Sequence, residues 1–269
     1  CSSDLDDNTD KMDTADATPL GDPGGPHTFH NPKPDFTRPL LEIPPEDRKR
    51  ILGRLNFLYG EPVADAYMPE LERILEVYYA HKTEALIEED KGLDPEERFT
   101  QEDVILITYG DLLRGKGPTP LADLAEFCDT YLGGTINTLH LLPFFPYSSD
   151  RGFSVTDFET VDPNLGTWAD IEALEGRYRL MFDGVFNHVS SESRWFQEFL
   201  NGNPYYWGFF IHFVTPDELS AEARKKIFRP RTSDILSEFQ SITGPMHVWT
   251  TFSKDQIDLN YTNPDVLMR

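Results

Sequence analysis

Long apolar runs alternate along this chain with segments whose hydrophobic residues recur every three or four positions. Three of the runs are typical of strands buried on both faces: DVILITYG (103–110), INTLHLLPFFPY (136–147) and RLMFDGVFNHV (179–189). Three other segments have helical spacing: TPLADLAEFCDTYLGG (119–134), TWADIEALEGRYR (167–179) and SESRWFQEFLNG (191–202). This alternation with short connections predicts a parallel sheet or a β/α barrel over 103–202.

Ahead of the alternating region, the chain predicts a helical prelude over 37–102. The segment PPEDRKRILGRLNFLYG begins with prolines and acids and then repeats apolar residues at helical spacing. A second helix is expected from Pro69, followed by an acidic connecting loop. Residues 1–36 are rich in Asp, Pro, Gly and Thr, with almost no large aliphatic residue, so we expect a disordered acidic tail.

The alternation of strand and helix breaks after residue 202. Residues 203–250 are aromatic and rich in proline and arginine, and their place in the chain fits an excursion inserted into a barrel. Residues 251–269 are expected to lead toward a fourth strand. The last segment, NPDVLMR, predicts a helix without a closing cap, so we expect the sequence to be the N-terminal part of a longer protein.

Charge and composition exclude two classes of partner. The 269 residues carry 24 Lys+Arg against 47 Asp+Glu, and the formal net charge of −23 repels phosphate backbones and anionic lipid surfaces. No apolar run approaches the roughly 18 residues that a membrane span requires. We therefore expect neither a nucleic-acid partner nor a membrane partner.

The two cysteines favour a cytoplasmic protein. Cys1 and Cys128 lie far apart and neither belongs to a C-x-x-C motif, so they form neither a disulfide framework nor a zinc ribbon. Cys128 is expected at a core position of its helix. Because Cys1 followed by Ser-Ser-Asp also resembles the start of a mature bacterial lipoprotein, anchoring through Cys1 stays an alternative.

Polar residues that could bind a ligand or take part in catalysis follow two of the predicted strands. In a β/α barrel, reactive groups stand where strands end, at the carboxyl face. After the second strand, a Gly-bent loop carries Asp150 and Phe153, and after the third come Asp183, Asn187 and His188. We therefore expect a binding site where these two segments meet.

The excursion adds a cationic segment to an otherwise acidic chain. KKIFRPRTSD (225–234) concentrates two lysines with Arg229 and Arg231, and such a cluster suits an anion. The following segment, VWTTFSKDQIDLN, returns to the barrel with Phe252 and Asp258.

Several of these segments together resemble the α-amylase superfamily, glycoside hydrolase family thirteen. DGVFNHVS resembles the family's region at the third barrel strand, and QIDLN resembles its region just before the fourth. LLPFFPYSSDRGFSVTDF followed by VDPNLGTWADI, together with KIFRPR, resembles the sucrose phosphorylase group and its enzymes for glucosylglycerate or glucosylglycerol. The resemblance implies the N-terminal part of a TIM (β/α)8 barrel: three strands, an excursion domain after the third, and the prelude in front.

The resemblance also implies roles for five residues in binding substrate. Asp150 would bind glucosyl hydroxyls, Phe153 would form an apolar wall, and His188 would donate a hydrogen bond to the sugar. Phe252 would be an aromatic platform and Arg231 a contact for phosphate or the acceptor. An aromatic face with a fixed carboxylate and imidazole suits a pyranose, which has apolar C–H faces and a ring of hydroxyls.

Three further residues would support the site. Asp183 and Asn187 would support the loop that holds His188, and Asp258 would support the return from the excursion. An asparagine at the position of Asn187 binds calcium in some amylase-type enzymes, but the phosphorylase group manages without it, so we expect no metal. No cofactor is expected either, and inorganic phosphate would be the co-substrate.

Each candidate also has an ordinary structural alternative. Asp150 would make an Asx turn, His188 would satisfy a neighbouring carbonyl, and Arg231 would only solvate an exposed loop. His140, inside the apolar TLHLLP, is expected to be a core histidine. The order of the motifs favours the binding roles for Asp150 and His188.

The resemblance implies a retaining α-glucoside phosphorylase. Such an enzyme converts sucrose, glucosylglycerate or glucosylglycerol and phosphate into α-glucose 1-phosphate through a covalent glucosyl-enzyme. TSDILSEFQSITG after KIFRPR departs from the sucrose phosphorylase pattern and favours glucosylglycerate or glucosylglycerol. Retaining chemistry needs two carboxyl groups, which in this family follow strands four and five, beyond Arg269. The 269-residue chain by itself is therefore not expected to catalyse the reaction.

Two other functions stay open at this point. One is an amylase-type α-glucosidase or transglucosidase, which would share the sugar-binding residues. The other, from a different class, is a non-catalytic sugar-binding pseudo-enzyme that lacks the catalytic acids altogether. For the complete protein, a small-molecule α-glucoside and phosphate are the expected partners, and a homodimer is compatible with the sequence.

Overall fold

The computed structural model describes residues 34–94, 99–229 and 231–269, so residues 1–33 of the expected tail lie outside the described chain. The described part begins with three helices: α1 (Pro45–Tyr59), α2 (Glu61–His81) and α3 (Glu84–Lys91). Pro45 opens α1, where its missing N–H costs nothing. Gly60, with a φ of 82°, ends α1 and turns the chain into α2.

Pro69 lies inside α2, which corrects the expectation that a helix begins there. The start is earlier because Pro62 occupies the first turn directly after the Gly60 turn. Pro69 removes one backbone hydrogen bond from the helix interior, yet α2 continues through it. The helix buries Ala64, Tyr67 and Met68, and this packing offsets the loss.

Three parallel strands form the first sheet: β1 (Ile105–Thr108), β2 (Thr138–Leu141) and β3 (Arg179–Phe182), in the order β1-β2-β3. α4 (Pro120–Phe127) and α5 (Trp168–Glu175) connect them and pack on one face. Leu139 and Leu141 of β2 are fully buried against Leu121, Leu124 and Leu174 of these helices. Cys128 begins a π-helical turn after α4 and is buried in the same core.

The third predicted strand is two separate strands. β3 ends at Phe182, and a tight turn, in which the N–H of Phe186 donates to the carbonyl of Gly184, breaks the run. β4 (His188–Ser190) then pairs antiparallel with β8 (Gln256–Asp258). This pairing joins segments far apart in sequence, so the local apolar pattern gave no sign of it.

The chain between β4 and β8 builds a second, antiparallel sheet. Its strands are β5 (His212–Phe213), β6 (Leu236–Ser241) and β7 (Gly244–Trp249), in the order β5-β7-β6. Two helices belong to this part, α6 (Arg194–Leu200) and α7 (Ala221–Lys226). Its core is aromatic and contains five almost fully buried rings: Phe196, Phe199, Tyr206, Phe209 and Phe210.

The helical prelude packs against the last helix, α8 (Pro264–Met268). Met268 contacts the small core of α1 and α2, and the Tyr67 hydroxyl donates to Asp265 Oδ1 over 2.9 Å. Burial and this carboxylate raise the pKa of the Tyr67 phenol, so it stays a donor. In the described ranges, no helix is both long and apolar enough to cross a membrane.

Candidate functional site

The loop after β2 closes on itself beside β4. Tyr147 and Val155 form an antiparallel bridge, and the N–H of Ser148 donates to the carbonyl of Ser154 over 3.1 Å. Between them, Asp150–Gly152 forms a single turn, closed by the Phe153 N–H donating to the Asp150 carbonyl over 3.2 Å. Gly152 has a φ of 104°, and a Cβ there would lie 2.7 Å from the carbonyl oxygen of Pro143, so only glycine fits. This turn holds the exposed Asp150 at the tip of the loop.

His188 opens β4 and its imidazole contacts the same loop. The side chain is 7% exposed, and its Nε2 lies 2.9 Å from the carbonyl oxygen of Phe153. Because a carbonyl only accepts, Nε2 carries the hydrogen and donates. Nδ1 is buried and has no hydrogen-bond partner in the described chain. The contact of Nε2 with the Phe153 carbonyl is the one expected from the alternative in which His188 satisfies a neighbouring carbonyl.

Gln256, the first residue of β8, joins these two segments. Its side chain is 3% exposed, and its Nε2 donates to Asp150 Oδ2 over 2.9 Å. The same nitrogen lies 3.3 Å from His188 Nε2, a contact between two donors, while the Ser253 hydroxyl donates to Gln256 Oε1. Gln256 therefore fixes Asp150 beside His188 through one buried amide.

Phe252 and Asp258 complete the cluster from the β7–β8 segment. The Phe252 ring lies 5.2 Å from the His188 ring, centroid to centroid, at a tilt of 56°. Asp258 stands opposite His188 in the strand pair and accepts from the Thr251 N–H and hydroxyl, each over 2.6 Å. Burial raises the pKa of Asp258, and the two Thr251 bonds and Arg229 oppose it only partly.

The structure thus brings together four of the predicted sugar-site residues. Asp150, Phe153, His188 and Phe252 meet through the contacts given above, and Asp258 lies beside His188 on the neighbouring strand. They come from three separate segments of the chain. Their roles in binding sugar stay predictions.

Asp183 and Asn187 lie in the segment between β3 and β4. Asp183 Oδ2 lies 3.0 Å from His140 Nε2 on the neighbouring strand, and the carbonyl of Asn187 accepts from the N–H of Leu259. His140 is therefore half-buried and paired with a carboxylate, which corrects its expected place among core residues. The pairing was missed because Asp183 follows β3, the strand adjacent to that of His140, and lies 43 residues further along the chain.

The two arginines of the cationic segment differ in their contacts. Arg229 is pinned: its guanidinium donates to the carbonyls of Thr250 and Thr251 over 2.8 and 3.0 Å and also to Ser233. Arg231 is exposed and, within the described residues, makes no hydrogen bond or ion pair to the other predicted site residues. Arg229 thus anchors the loop, and Arg231 is the arginine free to meet an anion.

A second group of contacts lies behind the loop, around Asp255. Its carboxylate accepts hydroxyls from Ser148 and Ser149 of the loop and from Ser191 after β4. Burial raises the pKa of Asp255, but these serine hydrogen bonds outweigh it and hold the pKa below its usual range. Sequence reasoning missed both Asp255 and Gln256. The only available signal was their place inside the DQIDLN segment.

A cavity of about 740 Å³ lies apart from this cluster. Phe158, Phe186, Trp195 and Tyr261 are among its lining residues, and none of the predicted sugar-site residues lines it. The chemistry-bearing side chains therefore meet outside this cavity, and we take their cluster as the candidate site.

Comparison with known proteins identifies the family to which the chain belongs. The family model for the alpha-amylase catalytic domain matches residues 131–269, more than half of the chain. A glucosylglycerate phosphorylase of Allomeiothermus silvanus is 45% identical over 229 residues, 85% of this chain and 38% of the relative. A sucrose phosphorylase of Streptococcus mutans is 35% identical over 164 residues, 59% of this chain and 33% of that protein.

Among solved structures, sucrose 6F-phosphate phosphorylase from Thermoanaerobacter thermosaccharolyticum matches with a TM-score of 0.57 and 31% identity. The match covers 65% of this chain and 37% of that protein. The chain thus spans little more than a third of the relatives it matches. Its strands β1, β2 and β3 are the N-terminal part of a TIM barrel, as the sequence predicted, and the chain belongs to the alpha-amylase catalytic domain family.

Proposed function

We propose that the protein is a retaining α-glucoside phosphorylase and that this chain supplies the edge that binds the glucosyl unit. The observation that carries the proposal is the convergence of Asp150, His188 and Gln256 beside Phe252. Relatives at 45% identity named glucosylglycerate phosphorylase support phosphorolysis over hydrolysis and make glucosylglycerate the first candidate donor.

The contacts suit recognition of a pyranose. Oδ2 of Asp150 is engaged by Gln256, and Oδ1, which has no partner within the described chain, is left to accept sugar hydroxyls. His188 holds the same loop at the Phe153 carbonyl, and Phe252 offers an apolar face to the C–H groups of the ring. Hydrogen bonds to sugar hydroxyls that strengthen as the ring flattens contribute to glycosidic catalysis.

The residues of this site orient the sugar and leave bond cleavage to other groups. A retaining mechanism needs a nucleophilic carboxylate and an acid/base about 5–5.5 Å apart across the glycosidic bond. Asp150 is held by an amide donor in a pose for hydroxyl binding, so we assign it neither role. The nucleophile and the acid/base are expected on later strands, as the resemblance implies.

One experiment tests the proposed function. The protein expressed from its complete reading frame is incubated with inorganic phosphate and, separately, with glucosylglycerate, glucosylglycerol or sucrose. We expect α-glucose 1-phosphate from glucosylglycerate. Free glucose without glucose 1-phosphate would replace the proposal with a hydrolase, and no product from a donor that binds would replace it with a non-catalytic sugar-binding protein.

Arg231→Ala should weaken the use of phosphate more than that of the donor. The Arg231 side chain is exposed and makes no hydrogen bond or ion pair to the other predicted site residues of the described chain. Its loss therefore leaves the sugar contacts intact while removing a cation suited to a phosphate group. We expect the KM for phosphate to rise about tenfold, the size of one charge-assisted contact, with the donor KM little changed. Lys225→Ala, in the same cationic segment, is the matched control. Equal changes in both KM values would refute the assignment.

A further inference from the structure

Two residues of the loop that carries the candidate sugar ligand hold an unfavourable backbone conformation. Asp150 and Arg151 have φ angles of 55° and 51°, in the left-handed region that glycine alone adopts freely. Such a conformation persists only where the surrounding structure holds it. Whatever holds this loop therefore also sets the direction of the Asp150 carboxylate.

The Asp255 carboxylate holds the loop from behind. Its Oδ2 accepts the hydroxyls of Ser148, over 2.6 Å, and Ser149, the two residues directly before Asp150. Its Oδ1 accepts from Ser191, over 2.5 Å from the hydroxyl and 3.3 Å from the N–H. Ser191 directly follows β4, the strand that begins with His188. One carboxylate thus ties the Asp150 loop to the strand that carries His188.

Further serine hydroxyls surround the Asp255 carboxylate. Because Ser148 gives its hydrogen to Asp255, the Ser190 hydroxyl donates to Ser148 over 2.6 Å, and the Ser149 hydroxyl also lies 2.9 Å from Ser154 Oγ. Every group around the carboxylate is therefore a donor, an arrangement that only an ionised carboxylate fully satisfies. The neighbouring residue, Gln256, meanwhile holds Asp150 itself, so two consecutive residues fix the loop at two places.

We propose that Asp255 is a positioning residue of the sugar site: its carboxylate clamps the loop 147–155 through serine hydroxyls and so presents Asp150 to the glucosyl unit. The clamp acts through Asp150 and not on the substrate. The proposal rests on the proposed function, since the loop matters for turnover only if Asp150 binds the sugar.

The test combines turnover with a direct measure of the loop. Asp255→Ala and Asp255→Asn are made in the protein from the complete reading frame. Asp234→Ala is the control: like Asp255, Asp234 accepts one backbone N–H, but its side-chain donor is Arg224 of the excursion and not a serine of the loop. Trypsin cleavage after Arg151, an exposed side chain inside the loop, is followed by mass spectrometry together with kcat and both KM values.

We expect Asp255→Ala to lower kcat by about ten- to a hundredfold, since small misplacements of a site group are costly. The phosphate KM should change less than twofold, and cleavage after Arg151 should become several-fold faster. Asp255→Asn, which keeps one acceptor oxygen, should fall between Asp255→Ala and the wild type. Asp234→Ala should match the wild type in both readouts.

The proposal fails if cleavage after Arg151 stays at the wild-type rate in Asp255→Ala, or if faster cleavage leaves kcat unchanged. Should Asp255→Ala not fold, Ser149→Ala, which removes one hydroxyl of the clamp, must show both effects in weaker form. If the wild type forms no glucose 1-phosphate, the proposed function has failed. The clamp is then judged by cleavage and by the binding of glucose to the wild type and the variants.

Discussion

Asp150→Ala in the protein from the complete reading frame should lower kcat for phosphorolysis by about 10²–10³-fold, equivalent to about 2.7–4 kcal/mol. The carboxylate is exposed at the site with one oxygen held by Gln256, so its loss removes hydrogen bonds that tighten in the transition state. Initial rates of glucose 1-phosphate formation at saturating phosphate give the value.

Asp150→Ala changes both the backbone strain at residue 150 and the hydrogen bonding of its side chain, and the two effects have to be measured separately. Alanine is disfavoured at the φ of 55° that residue 150 adopts, whereas asparagine tolerates that region. Asp150→Asn is therefore the companion variant: it should unfold at the wild-type temperature and still lose most of its kcat. A kcat within about threefold of the wild type in both variants would remove Asp150 from the sugar site and return it to the Asx-turn alternative.

Phe196→Ala should destabilise the protein by about 3–5 kcal/mol, the usual cost of deleting a buried aromatic ring. The side chain is 0% exposed, and its ring packs on Phe210 and Phe239 at centroid distances of 5.2 and 4.9 Å. All three residues lie between β4 and β8, Phe196 on α6 and the other two within residues 203–250. The substitution therefore weakens the contact between α6 and the excursion sheet.

Urea unfolding monitored by circular dichroism measures the Phe196 effect, with Phe57→Ala as the control. Phe57 is the same residue type but is 86% exposed on α1, so its loss should change the free energy of unfolding by less than about 0.5 kcal/mol. Equal effects of the two substitutions would show that the aromatic core of the excursion contributes little to stability.

The parallel sheet and its crossover helices were predictable because their signals are local. β1, β2 and β3 lie inside the continuous apolar runs, and α4 and α5 follow threonines that cap them. The break between β3 and β4 was missed, because Val185 and Phe186 continue the apolar run beyond the turn, although Asp183-Gly184 is itself a turn dipeptide. The hairpin of β6 and β7 was also missed, since Gln, Ser and Glu interrupt its pattern.

The sequence predicted which residues form most of the candidate site, but only some of the contacts between them. Asp150, Phe153, His188 and Phe252 follow from the order of the motifs, and the structure brings them together. What the sequence does not contain is the pairing of β4 with β8, and it is this pairing that carries Gln256 and Asp255 to the loop. Long-range strand pairing leaves no periodic trace, so these two residues emerge only in three dimensions.

The antiparallel pairing of β4 with β8 makes the excursion a closed loop with a fixed base. Ser190 and Gln256 face each other at its two ends, so the segment between them leaves and re-enters the barrel at one point. Lengthening such a closed loop is thermodynamically mild, about 0.6 kcal/mol for each doubling. Exposed turns within the segment, such as the one between β6 and β7 where Ile242 is 73% exposed, are therefore natural places for inserted residues, because Ser191 and Asp255 at its base keep their places.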